Sequence, residues 1–354
     1  MVDMRDIDFY LGGMDQTRKR RSLFGLMGET REVLRDLVVA QPRALWKEVR
    51  EKVRDLPKTN FDLGCMFAEQ GKWTDAMFRF RIVLYLQPNY PNAHYNLGCC
   101  YYRMGKLHQA VVTLKRALQL NPAHTEALFM LAAIDPASVP PAQRPQRMPR
   151  EMIVPFFTSL AERYDGMEAQ NQYKGGLLVF DVLRPLVKAT EITLVDMGCG
   201  TGLAARPWLG HARRIVGVDV TPAMVTIARS MTKDGRSLFD AVIEADMTAP
   251  ASALADLAAD AVLIVNVAQF VGALEGMMAT AASLLKPGGL VAITVEPFAG
   301  AGFGLDAKTG RFGHSSAYVK QMAGAAGLVP VQESRVALYP NTAADLMIFS
   351  KGAA

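Results

Sequence analysis

Leu194-Val195-Asp196-Met197-Gly198-Cys199-Gly200-Thr201-Gly202 decides how this chain is read. The apolar run from Ile192 to Val195 predicts a buried parallel strand, and three glycines at alternate positions follow before Leu203, where the spacing predicts a helix. Glycine lets the backbone approach a ligand lying across the strand tip, and a helix start presents unpaired N–H groups. The stretch therefore predicts a nucleotide cradle.

Three details select the nucleotide. A pyrophosphate cradle spaces its glycines G-x-G-x-x-G, whereas Gly198, Gly200 and Gly202 give G-x-G-x-G, with Leu203 where the last glycine should fall. Asp196 sets a carboxylate beside the ligand, which repels a pyrophosphate and suits a ligand carrying an ammonium and a sulfonium. The next strand, Arg214 to Asp219, ends in a carboxylate placed to take two ribose hydroxyls, and a third, Ile243 to Met247, carries Asp246 toward an adenine amino group. Asp196, Asp219 and Asp246 together describe S-adenosylmethionine. Gly198, Cys199, Gly200, Gly202, Val220, Met224, Met247, Asn266, Gln269 and Tyr164 complete the predicted cofactor set.

The ordered words VDMGCGTG, VGVD, EADM and LLKPGG resemble those of class I S-adenosylmethionine-dependent methyltransferases, in particular bacterial ones with N-terminal tetratricopeptide repeats. Phe157-x6-Tyr164-Asp165 and Gly313-His314-Ser315-Ser316-x-Tyr318-Val319 extend the resemblance, which covers residues 58 to 350. It implies a Rossmann-like α/β domain with a mostly parallel seven-stranded sheet, preceded by an all-α repeat domain, and a methyl donor without naming the acceptor. The family often has an acidic residue after the fourth strand. Here Asn266 stands in Val265-Asn266-Val267-Ala268-Gln269-Phe270, which removes a charge partner for an amine and favours oxygen as the acceptor atom.

The repeat is visible as a 34-residue period: Gly64 and Gly98, Gly71 and Gly105, Ala76 and Ala110, Leu84 and Leu118, Pro88 and Pro122. Leu131 and Ala132 continue it into a third first-helix. The expected domains are a basic N-terminal tail over 1–22, a helical flank over 23–57 divided at Pro42, and the repeats over 58–135. A proline-rich extended linker over 136–150 and the methyltransferase domain over 151–354 complete them. Repeats of this kind bind a protein or peptide partner.

Charge is uneven: residues 58–150 hold 11 basic and 5 acidic side chains, against 16 and 19 over 151–354. That permits an acidic partner on the repeats, but no basic motif interleaved with aromatics points to nucleic acid. No apolar run reaches the ~20 residues of a membrane span and no secretory pattern opens the chain, so a cytoplasmic enzyme is expected. Cys65, Cys99, Cys100 and Cys199 contain no C-x-x-C, and no metal site is expected. Of five histidines only His314, in the loop after the fifth strand, is topologically able to reach an acceptor, and it is the candidate base. The alternative function is an interaction scaffold whose nucleotide fold binds the donor without turnover.

Overall fold

The computed structural model describes residues 42–233, 235–249, 254 and 257–352. The expected tail over 1–22 and the flank up to residue 41 lie outside the described residues. The chain divides into two compact units, one ending at Ile134 and one running on from Asp135.

In the first unit α1 (Pro42–Glu69), α2 (Trp73–Leu86), α3 (Pro91–Arg103), α4 (Leu107–Leu120) and α5 (Thr125–Ile134) form successive antiparallel pairs. The 34-residue period has a direct packing cause. A Cβ on Gly64 would stand 2.7 Å from the Phe80 ring, and one on Gly98 would stand 2.9 Å from Leu114 Cγ. The same small position thus lets each pair close on a large side chain that is fully buried. Phe61, Cys65, Phe80, Val83, Leu97 and Cys100 pack as one cluster, with Phe61 edge-on to Phe80 at 5.7 Å.

One expectation fails here. From Pro42 onward the flank and the first repeat are a single helix, because α1 runs through Pro57 without a break. A proline inside a helix costs ~3 kcal/mol. Pro57 is itself buried, so packing of its ring holds the helix where local preference would end it.

The second unit is built on β1 (Ile192–Met197), β2 (Ala212–Asp219), β3 (Thr232–Lys233), β4 (Arg236–Ser237), β5 (Ala241–Glu244) and β6 (Ala259–Ile264). It continues with β7 (Leu285–Pro297), β8 (Phe303–Leu305), β9 (Phe312–His314), β10 (Leu328–Tyr339) and β11 (Thr342–Lys351). The sheet order is β10-β11-β7-β6-β1-β2-β5, parallel from β7 to β5 and antiparallel at β11 and β10. β3 and β4 form a separate small ribbon.

The sheet is covered by α6 (Arg150–Leu160), α7 (Tyr164–Gln170), α8 (Gly175–Leu183), α9 (Pro222–Ser230), α10 (Glu275–Leu284) and α11 (Ser316–Ala325). Val195, Val262 and Ile293 face one cluster, and Leu194, Leu263 and Ala292 the other. Both faces are covered, so these strands read as continuous apolar runs and not as alternating ones.

Three further expectations need correction. The seven-strand path carries an added hairpin, β8–β9, where a glycine-rich loop was expected; it extends β7 through Glu296↔Gly313 and Pro297↔His314. No α-helix follows the glycine turn: only the short 3-10 turn Arg206–Trp208 forms, because Pro207 lacks the N–H a longer helix needs and β2 begins at Ala212.

The proline-rich stretch is not a free linker. It folds into two 3-10 turns, Pro136–Ser138 and Pro141–Gln143. Its end is then strapped to the second unit: Met148 N donates to Phe270 O at 2.9 Å, and Gln146 O accepts from Gly272 N and Ala273 N. Among the described residues no helix is long and apolar enough to cross a membrane.

Candidate active site

The carboxyl ends of β1, β2, β5 and β6 open into a cavity of about 1040 Å³, mouth included, as expected where an open parallel sheet is covered on both faces. Its floor is the glycine turn. Gly198 N and Cys199 N donate to Val218 O, folding the turn back onto the tip of β2.

The three glycines answer to different constraints. A Cβ on Gly198 would meet Val267 at 2.6 Å, and one on Gly202 would meet Leu238 at 2.5 Å. Gly200, at φ +51, has no heavy atom within 4 Å of that position. It lines the cavity, so its bare face is space left for a ligand.

Two carboxylates stand beside this face. Asp219 Oδ2 accepts from Gly200 N at 2.9 Å and its Oδ1 from Thr221 N at 2.8 Å, which orients the group at the cavity rim. Asp196 is buried below the floor, and its Oδ2 has no hydrogen-bond partner among the described residues. Burial first, and then the charge of Asp219, push Asp196 up to about 7. Asp219 is also raised by burial, against the pull of its backbone N–H partners. Asp219, oriented beside a bare glycine face, is what a hydroxyl-bearing ligand would complete.

Asp246, Met247, Val220, Met224, Cys199, Asn266 and Tyr164 line the cavity with Gly198 and Gly200. Asp246 is already engaged: Oδ2 accepts from Arg147 Nη1 at 2.7 Å, and Oδ1 from Thr248 N and Oγ1 at 2.9 and 2.6 Å. Burial works to raise this group, but the Thr248 bonds and the Arg147 charge hold it below the ordinary carboxylate value. The Cys199 thiol is pushed well up by burial and by Asp196, so it stays protonated.

Asn266 takes a left-handed φ of 59°, and three bonds fix its side of the cavity. Its N–H donates to Thr294 Oγ1, its Nδ2 to Tyr339 Oη, and its Oδ1 accepts from Gln269 Nε2.

Gly202, Asp196 and Gln269 do not line the cavity. Gly202 shapes the turn and Gln269 buttresses Asn266, both without facing a ligand. Glu296, which follows a strand on the same side, is bonded to the buried Arg311 at 2.9 Å.

His314 departs furthest from expectation. It lies in β9, fully buried and outside the cavity, with Nε2 on Val271 O at 2.8 Å and on Gly272 O at 3.2 Å. Burial lowers it to about 4, so the ring is neutral near pH 7. The cap of the next helix is Ser315, whose Oγ accepts from Tyr318 N.

The sequence reading missed the wall opposite the glycine turn. Arg147, Met148, Arg150, Ile153 and Phe157 line it, and Phe157 sits edge-on to Phe270 at 5.4 Å and to Tyr164 at 6.2 Å. Arg147 and Met148 lie between Pro145 and Pro149, where no periodicity marks an inward-facing side chain.

Comparison with known proteins agrees with this architecture. A methyltransferase-domain family model matches residues 195–293, and two tetratricopeptide-repeat models match 64–105 and 91–124. The chain thus carries tetratricopeptide repeats followed by a Rossmann-like methyltransferase domain. Demethylmenaquinone methyltransferase of Tropheryma whipplei is 30% identical over 100 residues, 28% of this chain and 40% of that protein. The chain therefore spans less than half the length of that curated relative.

Two solved structures are similar in part. The Burkholderia thailandensis 1,6-didemethyltoxoflavin-N1-methyltransferase, with its substrate and S-adenosylhomocysteine bound, is 18% identical with a TM-score of 0.44. The match covers 56% of this chain and 87% of that one. The magnesium protoporphyrin IX methyltransferase of Synechocystis PCC 6803, with bound S-adenosylmethionine, is 16% identical with a TM-score of 0.39, covering 50% and 79%.

Proposed function

We propose that this protein transfers a methyl group from S-adenosylmethionine to a small-molecule or protein-borne acceptor, with oxygen favoured over nitrogen, while the repeats hold a protein or peptide partner. The single observation that carries the reading is Asp219, oriented at the rim of the cavity by Gly200 N and Thr221 N beside the bare face of Gly200. Its remaining lone pairs suit a ribose diol. Asp196 lies beneath the floor and outside the cavity, so of the two carboxylates Asp219 is the one that faces the donor. The donor would supply a methyl carbon already activated by a positive sulfur.

The chain's own part is alignment and exclusion of water. Positioning two reactants supplies on the order of 7 to 11 kcal/mol of such a barrier, more than a proton acceptor contributes. The apolar side chains of Met148, Ile153, Phe157, Phe270 and Val271 line the cavity wall and keep it dry. Asn266 presents an amide where a carboxylate would attract an amine, which supports oxygen as the acceptor atom.

Isothermal calorimetry with S-adenosylhomocysteine tests the reading. Wild type is expected to bind, and Asp219→Ala and Gly200→Val to lose binding. A wild-type protein that ignores this ligand, or that binds NAD in its place, ends the proposal. Incubation with a methyl-labelled donor and cell lysate, followed by separation of macromolecules from small molecules, then sorts the acceptor. Donor binding without label transfer to any fraction would favour the scaffold alternative.

A further inference from the structure

The segment ahead of β1 is tied to the glycine turn at one residue that the donor reading does not use. Asp165 Oδ1 accepts from Thr201 Oγ1 at 2.5 Å, and Asp165 Oδ2 is ion-paired with Arg206 Nη2. Thr201 is buried between Gly200 and Gly202, and Arg206 opens the 3-10 turn that follows, so one carboxylate grips both ends of the turn from 36 and 41 residues away. Its chain neighbour Tyr164 lines the cavity.

We propose that Asp165 is a positioning residue for the methyl donor, a clasp that fixes the shape of the glycine turn and the reach of Tyr164 together. This rests on the donor reading given above.

The local chain makes such a clasp necessary. In place of an α-helix after the glycines there is only a 3-10 turn cut short by Pro207, so the bond from Arg206 N to Gly202 O is followed by no further turn of α-helix to hold the shape. Gly198 N and Cys199 N are held on Val218 O and Gly200 N on Asp219, so what Asp165 adds is a hold on Thr201, between the two glycines with the most backbone freedom. A carboxylate that accepts from a hydroxyl and pairs with a guanidinium supplies charge-assisted bonds at fixed geometry. Asp165 lies in the first turn of α7, directly after Tyr164, whose ring stands edge-on to Phe157.

The test is a titration of the full-length protein with S-adenosylhomocysteine, followed by calorimetry and by the fluorescence of Trp208, which lies in the clasped 3-10 turn. Asp165→Ala is expected to raise Kd about tenfold or more, as loss of a charge-assisted contact does. It should leave kcat at saturating donor much closer to wild type. Arg206→Ala should raise Kd in the same direction, and adding it to Asp165→Ala should cost little more, because the two groups act as one contact.

Arg206→Ala breaks the same ion pair from its other side and serves where Asp165→Ala does not fold. Asp165→Glu, which keeps the charge, should recover part of the affinity. If wild type binds and the Asp165 and Arg206 variants bind equally well, the clasp is overturned while the donor reading stands. If their losses simply add, the shared contact is overturned. If wild type itself does not bind, the donor reading fails and takes the clasp with it.

Discussion

Arg147 Nη1 stands 2.7 Å from Asp246 Oδ2, joining the stretch that leaves the repeats to the tip of β5 across 99 residues of sequence. Both side chains are partly open to solvent. An exposed pair of this kind contributes ~1 kcal/mol or less. Arg147→Ala is therefore expected to lower the urea-unfolding free energy by no more than that. A larger loss would mean that Arg147 holds the strap itself in place.

Asp196 gives the stability a pH slope of unusual sign for a carboxylate. Its folded value, about 7, lies above its ordinary 3.8, so the folded state holds the proton more tightly than the unfolded chain. Stability from this group is present at low pH and is lost as pH rises from about 4 to about 7. Urea titrations at a series of pH values should show Asp196→Asn gaining on wild type across that window, with the difference level above it.

His314 slopes the other way. Its folded value of about 4 lies below its ordinary 6.5, so the unfolded chain binds the proton first and stability falls as pH drops from about 6.5 to about 4. His314→Gln should flatten that acid limb. Because the ring is locked on two carbonyls outside the cavity, the pH profile of methyl transfer between 6 and 8 should be the same in the variant. A profile that loses a limb there would return His314 to the chemistry.

Gly200 and Gly202 should separate binding from folding. Gly202→Val places a side chain on Leu238 and Phe239 at a φ of 97° and should destabilise by about 2 kcal/mol or more. Gly200→Val meets no neighbour, so it should cost only about 1 to 2 kcal/mol of backbone strain while abolishing donor binding. Thermal melts alongside calorimetry check both halves.

In the repeats, Phe80 fills the space left by Gly64 and is fully buried. Phe80→Ala should cost about 3 to 5 kcal/mol, read as loss of helical ellipticity at lower urea. A change under 1 kcal/mol would mean that the pair closes on the vacated volume.

How much of this was legible beforehand depends on whether one residue or a distant pair carries the information. The strands at Ile192, Ile215 and Leu290 announce themselves, since sheet burial on both faces needs nothing but apolar runs. The 34-residue period shows for the same reason: Gly64 and Gly98 each meet a neighbour within their own repeat. What did not show depends on long-range partners. Asp246 reads as an open acceptor until Arg147 is placed on it, and His314 as a loop base until its ring is placed on Val271 O. The flank ending at residue 57 reads as separate from the repeats until α1 is seen to run through Pro57, and Pro207 stands inside the helix expected after Leu203.

The strap formed by Gln146 to Met148 bears on where the chain can be cut. A fragment beginning at Glu151, the start that composition alone recommends, would strip Arg147, Met148 and Arg150 from the pocket wall. It would also strand the amides of Gly272 and Ala273, which Gln146 O now satisfies. Trimming just after Ile134 spares all of these groups, so the shorter piece is the poorer choice for isolating the second unit.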